Sequence, residues 1–87
     1  MTTTIPAGTE SLARLKQAFT DALELPATAD HTTLAYRETP MWDSLAHMQL
    51  VIALESTFDV MLETEEVLAL SSFREACTIL RRHGIAI

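Results

Sequence analysis

An all-α fold is predicted for this chain by three observations. Helix formers such as Ala, Leu, Glu and Met are common, whereas Gly occurs twice and Pro three times in 87 residues, too few for the turns of a sheet protein. Apolar residues recur at helical rather than alternating spacing over several stretches. The length suits a single small domain, residues 1–87, and a hydrophobic content of 48 % supplies enough apolar surface for its core.

Residues 1–8 read as a loose leader. Thr9 is a suitable helix cap, with Glu10 in the first turn, where the positive end of the helix dipole favours an acid. Leu12, Leu15, Phe19, Ala22 and Leu23 then recur at helical spacing, with Arg14, Lys16, Gln17, Asp21 and Glu24 opposite, and Pro26 ends this first helix. From Pro26 to Trp42 no periodicity is visible. Connections of this length in a small domain tend to carry function. Leu34 and Tyr36 are the expected anchors of the loop, and Pro40 prevents Thr39 from being helical.

Asp43 is a good N-cap for a second helix from Ser44 to about Thr57. Leu50, Leu54 and Phe58 form one apolar stripe, with Val51 and Met48 beside it. Leu45 and Ile52 fall outside that stripe and are expected to leave apolar surface beside Ser44. Such a group suggests a docking surface, although a central helix packed on several sides would read the same way. A connection over 59–63 leads to a short third helix over 64–70. Ser71 or Ser72 caps a fourth helix carrying Phe73, Ala76, Cys77 and Leu80 on one face. Arg81, Arg82 and His83 suit its C-terminal end, Gly84 stops it, and 85–87 form a short apolar tail. The helical bundle therefore spans 9–84. Leu50, Leu54 and Phe58 are expected in the core with Leu15, Phe19 and Leu80. Met41, Met48 and Met61 are expected to fill the core or its rim.

Charge limits the partners. The formal net charge is −6, which argues against nucleic acid and anionic membrane surfaces, because phosphate binding needs clustered Lys and Arg. Seven acids (Glu38, Asp43, Glu55, Asp59, Glu63, Glu65, Glu66) lie between Arg37 and Arg74, a stretch without Lys or Arg. That one-sided distribution suits basic partners, or simply a solvated face. The lone Cys77 has no internal disulfide partner, fits a reducing cytoplasm, and is expected to be buried. No signal peptide and no membrane span are read. The starting Met1 and short tail suggest a stand-alone chain.

Ser44 is the candidate site. It falls at the start of an apolar helix with its hydroxyl free to face solvent, a serine offered to another enzyme. His47 is one helical turn away and invites a hydrolase reading with Asp43 and Ser44. That chemistry needs an oriented base and an oxyanion hole in a dry cleft, and a domain this small has little room for them. No enzyme activity is expected, and His47 is read as a surface residue or a contact for partners. His31, His47 and His83 are too far apart in sequence to suggest a metal site.

Asp43-Ser44-Leu45, followed by Leu50-Val51-Ile52-Ala53-Leu54-Glu55 and then Phe58-Asp59, resembles the acyl carrier protein family. The likeness runs from Trp42 to Gly84 without a gap, and covers the first helix and the loop only in type and length. It implies a small four-helix bundle with a short third helix. It also implies a 4′-phosphopantetheine arm on Ser44, taken from coenzyme A by a phosphopantetheinyl transferase, with Asp43 and Leu45 flanking the attachment. The thiol of that arm would carry acyl or aminoacyl groups as thioesters to loading and transfer enzymes. Leu45, His47, Ile52 and Glu55 are the expected partner contacts, and the carrier is expected to be a monomer. Carriers of fatty-acid synthesis usually hold acids along the second helix, where this chain has Ala46, Gln49 and Ser56 and keeps only Glu55. Trp42 and His47 look more like carriers of specialised pathways: polyketide, non-ribosomal peptide or aminoacyl transfer. A fatty-acid carrier and an unmodified acidic helical interaction module remain the alternatives; the module would have no need of a serine at position 44.

Overall fold

The computed structural model describes residues 7–87. Four helices lie in them: α1 (Ala7–Leu23), α2 (Ser44–Phe58), α3 (Thr64–Ala69) and α4 (Phe73–Arg82), with one 3-10 turn at His31–Thr33. Among the described residues there is no strand, only an isolated antiparallel bridge between Ala35 and Ser72. The all-α expectation and the short third helix therefore hold. The first six residues of the expected leader lie outside the described residues. Ala7 and Gly8, expected in that leader, belong to α1, so Thr9 sits inside the helix rather than at its cap.

Local chemistry accounts for most helix ends. Asp43 Oδ1 accepts from Ala46 N at 2.9 Å and caps α2. Ser72 rather than Ser71 caps α4, its Oγ accepting from Glu75 N at 3.1 Å. At the start of α3, Glu63 N donates to Glu66 Oε1 at 3.0 Å. Three helices stop at a residue in the left-handed region, Glu24 (φ 53), Asp59 (φ 52) and Gly84 (φ 84). The next amide then reaches five residues back: Leu25 N to Thr20 O, Val60 N to Glu55 O and Ile85 N to Leu80 O. Gly84 is the residue for which this costs nothing; Glu24 and Asp59 adopt it against the steric preference of a side chain.

Helix α1 packs along α2, and α4 packs against the 3-10 turn. The core draws on every helix but α3. Leu15 and Phe19 come from α1, Leu50, Leu54 and Phe58 from α2, and Phe73, Ile79 and Leu80 from α4, with Leu34 and Trp42 from the loop between α1 and α2. All six residues expected in the core are there. Cys77 is buried too, and burial pushes its thiol pKa up, because the thiolate would be desolvated. The methionines correct the expectation of core or rim filling: Met41, Met48 and Met61 are all exposed. The tail is also docked, since Ile85 and Ile87 pack against the core and Arg81 Nε donates to Ile87 O at 3.1 Å. No helix among the described residues is long and apolar enough to cross a membrane.

Candidate functional site

Ser44 is the first residue of α2 and is exposed. The Asp43 carboxylate is engaged with the Ala46 amide and the Asp43 carbonyl with His47 N, at 2.9 Å each. That leaves the amides of Ser44 and Leu45 without a carbonyl inside the helix, as at any helix start. A phosphate attached to Ser44 Oγ therefore fits its surroundings: free N–H groups and the positive end of a 15-residue helix dipole lie beside it.

An open groove of about 270 Å³ runs beside Ser44, between the end of α1 and the start of α2. Asp43, Leu45, Ala46 and Gln49 line it from the α2 side and Ala22, Leu23 and Glu24 from the α1 side, with Met41 completing the lining. The α1 residues and Met41 were not expected near the site, and nothing in their spacing reveals it.

Two expected partner contacts are free. Leu45 is 69 % exposed and Ile52 62 %, and Met48, 53 % exposed, lies between them on the same face of α2. These three side chains form an apolar stripe leading away from Ser44. Glu55, expected as the acidic partner contact, has a structural task as well. Its Oε2 accepts from Leu62 N at 2.9 Å and ties down the connection between α2 and α3.

His47 is corrected outright. It is 6 % exposed, a core residue rather than a surface contact. Its Nδ1 accepts from the Trp42 indole N–H at 3.0 Å, and its Nε2 lies 2.9 Å from the carbonyl of Val67 in α3. Because the indole nitrogen only donates, the ring is the Nε2–H tautomer, donating to Val67 O. Both ring nitrogens are engaged, so His47 has none to offer Ser44 as a base. The register of α2 accounts for all four: His47 lies three residues before Leu50 and four before Val51, on the buried face, where Trp42 and Val67 give its polar atoms partners.

The residue that does meet Ser44 is Tyr36. Its hydroxyl lies 3.4 Å from Ser44 Oγ, and its ring stacks on His47 with centroids 4.4 Å apart and planes 26° apart. The sequence marks Tyr36 only as an anchor of the loop, and no spacing signal links it to position 44. The other histidines lie elsewhere. His31 Nε2 is within 3.2 Å of Thr20 Oγ1 and Lys16 O, and His83 pairs with Glu66 at 2.8 Å. No group of three or more metal-ligating side chains converges among the described residues. Comparison of the chain with protein-family models, with curated proteins and with solved structures gave no match in any of the three.

Proposed function

We propose that this protein is a carrier whose Ser44 takes a 4′-phosphopantetheine arm from coenzyme A. The observation that carries the reading is the placement of Ser44: exposed, first in a capped helix, with no base against it and an apolar face beside it. Those features suit a hydroxyl that another enzyme modifies. In the reaction the serine O–H is replaced by an O–P bond to the pantetheine phosphate. The pyrophosphate bond of coenzyme A breaks, adenosine 3′,5′-bisphosphate leaves, and the serine proton passes to a base of the transferase. The chain's own part is to present Ser44 on a rigid helix and to surround the new phosphodiester with free amides and a helix dipole. The arm, when attached, supplies the thiol that holds acyl or aminoacyl groups.

The resemblance to acyl carrier proteins in Asp43-Ser44-Leu45 and the helix after it supports the same reading. The α2 face next to Ser44 is apolar (Leu45, Met48, Ile52), and its one acid, Glu55, is engaged with Leu62. A face built this way suits a dedicated partner set of a specialised acyl, aminoacyl or polyketide pathway better than the general enzymes of fatty-acid synthesis. The same apolar stripe also suits an unmodified interaction module, and Ser44 separates the two readings. Incubation with coenzyme A and a broad-specificity phosphopantetheinyl transferase should add one phosphopantetheine to the wild type and none to Ser44→Ala, read by intact mass. An unmodified wild type, or an unchanged addition on Ser44→Ala, would overturn the carrier reading.

A further inference from the structure

We propose that the Tyr36 hydroxyl positions the phosphate carried on Ser44, a role that rests on the modification of Ser44 proposed above. The two side-chain oxygens are 3.4 Å apart, long for a bond between hydroxyls. A phosphodiester on Ser44 Oγ places its charged non-bridging oxygens two bonds from Oγ, on the bonded phosphorus. The phenol then meets an anionic acceptor, and hydrogen bonds to ionised oxygens are shorter and about twice as strong as neutral ones. Tyr36 provides the one side-chain hydrogen-bond partner of Ser44 Oγ among the described residues.

The donor is held in place before any phosphate arrives. The Tyr36 ring stacks on His47 and lies against Trp42, with centroids 4.4 and 6.0 Å away. His47 is itself locked between Trp42 and Val67. The Tyr36 backbone N–H is bound to Ser71 O at 3.0 Å, next to the bridge between Ala35 and Ser72. Loop, α2 and the start of α4 thus fix a side chain that would otherwise swing freely on a coil segment, and a donor that needs no reordering loses less entropy on binding. The Arg37 guanidinium lies over the Tyr36 ring, 5.8 Å from its centroid, and adds a further contact that holds the ring. A tyrosine present only for packing would need its ring; the hydroxyl is the part that packing does not explain.

Tyr36→Phe removes that hydroxyl and keeps the stack. Full-length wild type, Tyr36→Phe and Ser44→Ala are incubated with coenzyme A and the transferase, weighed intact, and examined by phosphorus-31 NMR both folded and in denaturant. Wild type and Tyr36→Phe should gain the arm. In folded wild type the phosphodiester resonance should be displaced from its position in the denatured protein, and Tyr36→Phe should move it most of the way back. Unmodified wild type and Tyr36→Phe should melt alike, which separates positioning from folding. Within the wild type alone, attachment of the arm should shift the Tyr36 ring resonances and leave those of Phe19 unmoved, a readout that does not depend on the variant. The same phosphorus resonance in both folded, modified proteins, or Tyr36 ring resonances that ignore the arm, would overturn the positioning role and leave the modification of Ser44 standing. A wild type that gains no mass would overturn both.

Discussion

The indole N–H of Trp42 donates to Nδ1 of His47 across 3.0 Å inside the core, and the opposite nitrogen of the same imidazole meets the Val67 carbonyl at 2.9 Å. One buried polar chain thereby joins the loop before Ser44, the helix that Ser44 begins, and α3. Buried polar atoms are tolerated when each has a partner, and among the described residues no buried side-chain nitrogen or oxygen lacks one.

The first prediction concerns that chain. Trp42→Phe strands His47 Nδ1, and His47→Leu strands the Trp42 N–H and the Val67 carbonyl. Each should cost about 1–3 kcal/mol for the group left unpaired, besides any packing loss. The double variant removes the Trp42–His47 donor and acceptor together and should cost less than the sum of the singles, by about 1 kcal/mol. Urea unfolding of the four proteins gives the cycle. Strict additivity would mean that the bond contributes nothing to stability.

The second prediction separates core from docking face on one helix. Phe58→Ala should cost about 3–5 kcal/mol and Leu50→Ala about 2–5, because both side chains are enclosed. Leu45→Ala and Ile52→Ala should stay within about 0.5 kcal/mol of wild type, as exposed positions do. The Leu45 and Ile52 variants should instead slow modification of Ser44 or later loading. If they unfold the protein, the exposed stripe is structural.

The third prediction uses Glu24, exposed and held at φ 53 where α1 ends. A side chain in the left-handed region costs about 1–2 kcal/mol, part of which returns as lost chain freedom when Gly replaces it. Glu24→Gly should therefore stabilise the fold by about 0.5–1 kcal/mol in denaturant unfolding. A loss of stability would show that the Glu24 side chain makes a contact that outweighs the strain.

The fourth prediction is a pH dependence at Glu66. The Glu63 N–H first, and then His83, hold its carboxyl below the ordinary value of 4.5, against an opposing effect of burial. Folding therefore favours the ionised form. The stability this adds is complete above the unfolded-state value and is lost as pH falls through the lower folded-state value. Glu66→Gln should be less stable than wild type at neutral pH, and the gap should narrow as the pH drops below 4.5. A gap that stays constant through acid titration would place the loss in packing.

The position of Ser44 was legible from Asp43 and the apolar run after it, because a cap and a helical period act over three or four residues. The outward placement of Leu45 and Ile52 followed from the same register. Met48 was misread. It sits three residues from Leu45 and four from Ile52, so it shares their face, whereas two residues from Leu50 it lies off the core stripe beside which it was expected. The loop holding Tyr36 has no period to read, so a contact across eight residues of coil could not be inferred from it.

By itself the sequence determined the four helices, the cap at Asp43, a serine cap at 71 or 72, the glycine stop and the serine at the start of α2, since each depends on neighbours a turn away. Tertiary structure alone decided which groups satisfy the His47 ring and that Tyr36 reaches Ser44. Spacing puts His47 on the face of Leu50 and Val51, but whether a polar ring can stay there depends on partners that the spacing does not show. The choice falls to groups far along the chain, the Val67 carbonyl twenty residues on and the Ser71 carbonyl that holds Tyr36. A buried polar ring is stable where such partners exist and is expelled where they do not.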